Sequence, residues 1–317
     1  MINIVIICYN ALPYTKVTLR SLFATTKLPY ILTVVDNGSN DRTKEFLQQL
    51  IAPRYCKEFI FIDNQENMGV SFAYNQGFDI SLERNCEYTC FCNNDLYFQT
   101  NWLNMLNRCL DENPNIALLN PLRPSERTKF NKSTSTMKKL KCIDPTNDWE
   151  KELKDYSGYS YDNFDEFCNV IIKNNRYQND LEILHFPDSL STCVCLARNS
   201  AIKSIGHFAD PIFPKYGGED IDLCWDAMKL GYSCAILHNV YVHHFRGKSI
   251  KSNNMDRQAM LKISNMILLS KWRDKILKFL SEQESNGIDI QEKLKENRGD
   301  DYWLLSELNE STRFLER

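Results

Sequence analysis

The chain has 317 residues, with 38 Lys and Arg against 41 Asp and Glu, a formal charge of −3. This near-neutrality excludes a globally basic nucleic-acid binder, and 43% apolar with 25% charged residues excludes collagen, low-complexity disorder and a membrane bundle. A chain this long buries roughly 75% of the surface its unfolded form exposes, so core size sets no limit.

No apolar run approaches the roughly 18 residues of a membrane span, and the opening MINIVIICYN has no basic leader. A cytoplasmic protein is expected. Twelve cysteines are present without any C-x-x-C spacing, which argues against a thiolate zinc site. Cys8, Cys90, Cys92, Cys193, Cys195 and Cys234 stand inside strand-like runs and read as small buried hydrophobes in a reducing compartment.

Residues 2–8, INIVIIC, form a β-branched apolar run, the pattern of a strand covered on both faces. Further runs follow at 31–35, 59–62 and 88–92, separated by segments of helical length at 13–27, 41–50 and 70–83. The alternation predicts an α/β fold with a mostly parallel, doubly wound sheet and helices on both faces. After the second strand the turn Asp36-Asn37-Gly38-Ser39-Asn40-Asp41 is rich in residues that tolerate tight backbone angles, and Asn40 or Asp41 can cap the next helix. Residues 123–188 are rich in Lys, Asn, Asp and Tyr, with helix-like patches at 149–156 and 164–174, and read as an insertion. A strand-like run returns at 190–197, a helix near 219–230, apolar runs at 235–237 and 240–242, a long helical pattern at 255–280 and a polar helical one at 302–314.

Ligands of open α/β sheets bind beyond the carboxyl ends of the strands. The residues there are Tyr9 and Asn10, Asp36 and Asn37, 64–69, and Asn93-Asn94-Asp95: four consecutive strand ends bearing acids or amides. One carboxylate flanked by amides can hold a hard divalent cation whose other ligands are water and a diphosphate, or can simply cap a turn. In Tyr216-Gly217-Gly218-Glu219-Asp220 two glycines let the backbone turn sharply and acids open a helix. Such acids complement the helix dipole, and the same placement suits a general base. His243 and His244 end an alternating run, so only one of them can point into a given site. Arg246 and Lys248 then offer charge to a phosphate or form an ordinary basic loop. No G-x-G-x-x-G, P-loop or G-x-S-x-G occurs.

In this order, the segments Ile4-Val5-Ile6-Ile7-Cys8-Tyr9-Asn10, Val34-Val35-Asp36-Asn37-Gly38-Ser39-Asn40-Asp41, Asn67-Met68-Gly69 with Asn75-Gln76-Gly77, and Asn93-Asn94-Asp95 resemble the N-terminal half of family 2 glycosyltransferases of the GT-A fold. Ile205-Gly206-His207-Phe208, Gly218-Glu219-Asp220-Ile221-Asp222-Leu223 and His244 with Gly247 and Ser249 are similar to the second half of the rhamnosyltransferase-like branch. The Gly-Gly-Glu-Asp stretch also looks like that of galactosyltransferases, where a Trp stands at the place of Tyr216.

The resemblance implies an inverting transferase that uses a UDP- or dTDP-sugar, with Mn2+ or Mg2+ as cofactor. Tyr9, Asn10, Asp36, Asn67, Gly69, Asn75, Asn93 and Asn94 would form the nucleotide site. Asp95 and His244 would bind the metal, Gly218, Glu219 and Tyr216 the acceptor, and Asp220 would be the catalytic base. A glycan, lipid-linked or protein acceptor and a role in glycan or polysaccharide biosynthesis are expected. The basic 255–280 pattern itself reads first as a helix packed on the catalytic domain with a solvated basic face, and alternatively as a peripheral membrane contact suited to a lipid-linked acceptor. Residues 1–250 would form the catalytic domain (1–121 donor half, 122–189 insertion, 190–250 acceptor half) and 251–317 a helical extension. Two positions depart from the pattern: Asn93 replaces the first acid of the D-x-D element, and Tyr74 stands where an Arg often precedes N-x-G. A sugar nucleotidyltransferase and a non-catalytic nucleotide-sugar or glycan-binding module are the alternatives.

Overall fold

The structure, a computed structural model, describes residues 1–123, 164–173, 180–213, 216–245, 247–253 and 255–287. Its first half runs β1 (Ile2–Cys8), α1 (Leu12–Thr25), β2 (Tyr30–Asn37), α2 (Thr43–Gln48), β3 (Cys56–Asn64), α3 (Val70–Glu83), β4 (Tyr88–Asn93), β5 (Leu96–Phe98), α4 (Trp102–Glu112) and β6 (Ile116–Leu122). The second half runs α5 (Phe164–Lys173), β7 (Leu181–Leu184), β8 (Val194–Arg198), α6 (Asn199–Ile205), α7 (Glu219–Lys229), β9 (Ser233–His244), α8 (Lys248–Ser252) and α9 (Arg257–Ser285).

The strands form one sheet in the order β3-β2-β1-β4-β8-β6-β9-β5, with β7 on β9. β3, β2, β1 and β4 are mutually parallel, as the alternation predicts. Beyond β4 the sheet is mixed: β8 is antiparallel to β4 and β6, β6 is parallel to β9, and β5 and β7 are antiparallel to β9. "Mostly parallel" therefore holds only for β1 to β4. The runs at 235–237 and 240–242 are one strand, because β9 carries a different partner along each part of its length.

Period-two burial divides β1 between two cores. Ile2, Ile4, Ile6 and Cys8 face α1 and α4, while Val5 faces α3, α6, α7 and α9. Gly77 brings α3 down onto β1, since a Cβ there would lie 2.2 Å from Val5 Cγ1. Helix α9 contributes Leu268, Trp272 and Ile276 to the second core, so it is an integral layer of the fold. Helix α5 seats Phe164, Phe167 and Cys168 on Leu122 and Tyr241, in agreement with the 164–174 pattern. The patches at 149–156 and 302–314 lie outside the described residues. Among the described residues eleven cysteines are free, and all of these but Cys56 are buried. Among the described residues no helix is long and apolar enough to cross a membrane.

Candidate active site

From β1 the chain moves to β2 and β3 on one side, then returns to place β4 on the other, making the β1/β4 junction a topological switch point, the place where open α/β sheets bind their ligands. Ile7 pairs with Asn93 in the β1–β4 ladder, so Tyr9–Asn10 and Asn93–Asp95 leave the sheet side by side. Asn10 and Ala11 both adopt left-handed backbone, with φ of 55° and 62°, a conformation non-glycine residues hold only when their surroundings impose it. The surroundings do: the Asn10 N–H donates to Ser39 Oγ at 2.8 Å, its Oδ1 accepts from Asn40 N at 2.7 Å, and its side chain also bonds Asn253. Asn94 closes the switch point, donating to Asn10 O at 3.0 Å and Thr15 Oγ1 at 2.9 Å and accepting from Ser249 Oγ at 3.1 Å.

The β2 end is a second amide network. Asn37 donates to Asn67 Oδ1 (3.0 Å) and Gly69 O (3.3 Å) and accepts from Asn64 Nδ2 and Met68 N (both 3.1 Å). This shapes the Asn67–Gly69 turn, which opens α3 with Gly69 at a φ of 90°. Asp36 is wholly buried, and both its oxygens accept from Ser39. Burial raises its carboxyl, partly offset by those bonds. Asp41 accepts from Leu12 N and Thr43 N, tying the two turns together. Asn75 is committed elsewhere: its Oδ1 accepts from Phe208 N and Ala209 N, both at 3.1 Å, and its Nδ2 donates to Ala209 O at 2.7 Å, pinning the 206–213 segment to α3.

Asp95 lies at the turn between β4 and β5, with Oδ1 3.1 Å from His244 Nε2. β5 pairs with β9 in a register that brings His244 back beside this acid. His243 points the other way, toward the Tyr241 hydroxyl at 3.0 Å and the Phe245 ring. Burial, then His244 and Lys248, push the His243 imidazole down to about 3. For His244 burial works in the same direction, but Cys193 and Asp95 outweigh it and hold the imidazole up to about 10. The carboxylate and the imidazole stand close enough to share one divalent cation, which would take the place of the imidazole's proton.

Tyr74, the departure noted in the sequence, proves central. Its buried hydroxyl lies 3.2 Å from Asn93 Oδ1 and 3.0 Å from Thr192 O. Burial, then Cys193 and Glu219, raise its phenol well above the usual range. The ring thus has the strand-end amide at its hydroxyl and shares a hydrophobic core with Ile221 of α7, whose Glu219 adds to the rise. Helical spacing of Tyr74 and Phe78 signals burial, but nothing local signals what lies opposite.

On the far side, Gly218 precedes α7 with a φ of 87°, and a Cβ there would lie 2.7 Å from Phe213 Cε1. Glu219 is buried, and its Oε2 has no hydrogen-bond partner. Burial and then the neighbouring Asp220 push its carboxyl up to about 8. Asp220 is half-exposed, with Oδ1 accepting from Ile221 N at 2.9 Å. Tyr216, raised chiefly by burial, has Arg257 over its ring at 5.9 Å.

A second acid group is a poor cation site. His207, Asp222 and Asp226 bring ligand atoms within 4.8 Å of one another, but Lys271 Nζ stands 2.8 Å from Asp222 and 3.1 Å from Asp226. That ammonium already balances the carboxylates and would repel a metal ion. Sequence reasoning named Asn37 only as a strand-end polar residue, and it missed the roles of Cys193 and Asn253, whose significance lies in contacts distant along the chain.

A crystal structure of GalNAc-T7 with UDP, GalNAc and Mn2+ superposes with a TM-score of 0.52 at 15% identity, over 77% of this chain and 43% of that one. The mannosyltransferase PcManGT from Pyrobaculum calidifontis, in complex with GDP-Man and Mn2+, gives 0.48 at 12% identity over 78% and 57% of the two chains. S. aureus TarS 1–349 gives 0.46 at 16% over 76% and 59%. This chain thus spans about half the length of the structures it resembles. No curated protein sequence matches it. The family description "Glycosyl transferase family 2" matches residues 3–173, more than half of the chain. With a central mixed sheet flanked by helices in the GT-A arrangement, this chain belongs to glycosyl transferase family 2.

Proposed function

We propose that the protein transfers a sugar from a nucleoside-diphosphate donor, a UDP- or dTDP-sugar, to an acceptor hydroxyl with inversion at the anomeric carbon. The observation that supports this reading is the Asp95–His244 pair at the end of the amide-lined switch point, beside Asn93, which Tyr74 holds. Tyr9, Asn10, Asp36, Asn67, Gly69, Asn93 and Asn94 border the nucleotide in this proposal. Residues 1–250 would supply the catalytic and binding side chains, with 122–189 shaping the acceptor side and α9 packed on them as a layer of the same unit.

Asp95 and His244 would hold Mn2+ or Mg2+, which when bound stabilises negative charge on the departing diphosphate. Asp220, the more exposed of its pair, takes the proton of the acceptor hydroxyl. The acceptor oxygen bonds to the anomeric carbon as the carbon–oxygen bond to phosphate breaks, its electron pair leaving with the diphosphate. Glu219, neutral below about pH 8, leaves its neighbour the only charge of the pair and offers a hydrogen bond to the acceptor. Glycan, lipid-linked or protein acceptors all present the hydroxyl this requires.

The test is a panel of UDP- and dTDP-sugars assayed for diphosphate release with and without Mn2+. Asp220→Asn should lower turnover of the best donor by about 10²- to 10⁴-fold while UDP affinity in Mn2+ stays unchanged by calorimetry. Wild-type turnover in that variant would falsify the assignment of the base.

A further inference from the structure

Helix α9 lies behind the acid-bearing turn and grips it at both ends. At the near end, the buried Ser264 hydroxyl donates to Tyr216 O at 2.8 Å. Leu261 and Ser264 lie over the two glycines: a Cβ on Gly217 would stand 2.6 Å from Leu261 Cδ2, and one on Gly218 3.5 Å from Ser264 Cβ. At the far end, Trp272 Nε1 donates to Asp222 Oδ1 at 2.7 Å and Lys271 Nζ to Asp222 Oδ2 at 2.8 Å. Residues 264 and 271–272 are two turns apart on one helix, so a single rigid element spans the segment. Glu219 and Asp220 lie between the two grips.

Such support answers a specific weakness. Gly217 and Gly218 have φ of 89° and 87°, and glycines confer no preference for one conformation over its mirror. Their turn must be held from outside. Lys271 extends the hold, reaching Asp210 Oδ2 at 2.8 Å in the segment that Asn75 pins to α3. Burial opposes its charge, but Asp210, Asp222 and Asp226 keep the ammonium protonated. It also offsets the charge of Asp222, two residues from Asp220.

We infer that α9 is a positioning element for the acceptor side of the reaction: Ser264 and the Lys271–Trp272 pair fix the Tyr216–Asp222 turn and thereby set where Asp220 stands, leaving nucleotide binding untouched. This rests on the reading of Asp220 as base, but the holding of the turn is measurable without it.

The full chain is compared with Ser264→Ala, Lys271→Met and Lys271→Arg by three readouts. These are hydrogen exchange of peptides covering 214–224, UDP affinity in Mn2+, and turnover of the fastest donor in the panel. Loss of one buried hydrogen bond should speed exchange and lower kcat by about tenfold in Ser264→Ala, with UDP affinity and donor KM unchanged. Lys271→Met should do at least as much, and Lys271→Arg should restore most of the loss. Unchanged exchange in both Ser264→Ala and Lys271→Met overturns the inference, as does UDP affinity falling in step with kcat. If exchange rises while Asp220→Asn turns over normally, the positioning role stands and the base assignment alone fails.

Discussion

The two sides of the candidate site differ in how their polar atoms are satisfied. At the β1, β2 and β4 ends amides bind one another: Asn37 makes four hydrogen bonds, and Asn94 reaches Asn10, Thr15 and Ser249. At the α7 turn Glu219 is buried with one oxygen unpartnered, next to a second acid. Saturated networks rigidify, which suits a cradle that accepts the same nucleotide every turnover. A buried acid with an unpartnered oxygen costs stability, and such cost gathers at sites kept ready for a ligand. In the proposed reaction the first side is scaffold and the second reactant.

The contrast breaks most sharply at the proposed metal pair. Asp95→Ala should weaken Mn2+-dependent UDP binding by about 10- to 100-fold or more while metal-free UDP binding is unchanged. Equal affinities with and without Mn2+ in the wild type would remove the metal role from Asp95 and His244.

Gly218→Ala tests the acid-bearing turn. A left-handed φ of 87° and a Cβ 2.7 Å from Phe213 Cε1 should cost about 1–3 kcal/mol, visible as a lower Tm in calorimetry. A variant as stable as the parent would show that the turn relaxes freely. Asn37→Ala tests the cradle: unpairing the groups it serves should cost about 1–3 kcal/mol and also weaken UDP binding, because Asn67 and Gly69 lose their shape. Stability loss without any change in UDP affinity would separate that network from the nucleotide.

Glu219→Gln probes the buried acid through its pH dependence, and the sign follows from linkage. The Glu219 carboxyl is raised in the fold from 4.5 to about 8, so the folded chain binds more protons than the unfolded one in that window. Its contribution is fully present below about pH 4.5 and lost as pH rises through 8. The Gln variant should therefore lose less stability than the parent between pH 5 and 8. Parallel Tm-against-pH curves would show that Glu219 is charged throughout.

Much of this was legible because it is local. The apolar runs, the helical spacing of 70–83, recovered to the residue, and the polar strand ends followed from patterns a few residues long. Asp95 and the Gly-Gly-Glu-Asp turn stood out for the same reason. Antiparallel β8 was not legible, since its apolar run looks the same in either direction. Neither were β5 and β7, three and four residues long, nor the single strand formed by 233–244, whose partners change along its length.

What the sequence determined on its own was the alternating architecture, the strand-end chemistry and the two acids. Only the tertiary structure decided that His244 rather than His243 meets Asp95, that Asn75 serves the 206–213 segment, that Tyr74 holds Asn93, and that an ammonium fills the His207–Asp222–Asp226 group. The physical reason is that each of these is a hydrogen bond or charge pair between residues far apart in the chain. Composition and periodicity specify which faces are buried, but partner choice across the sheet depends on register and crossover, which exist only once the chain is folded.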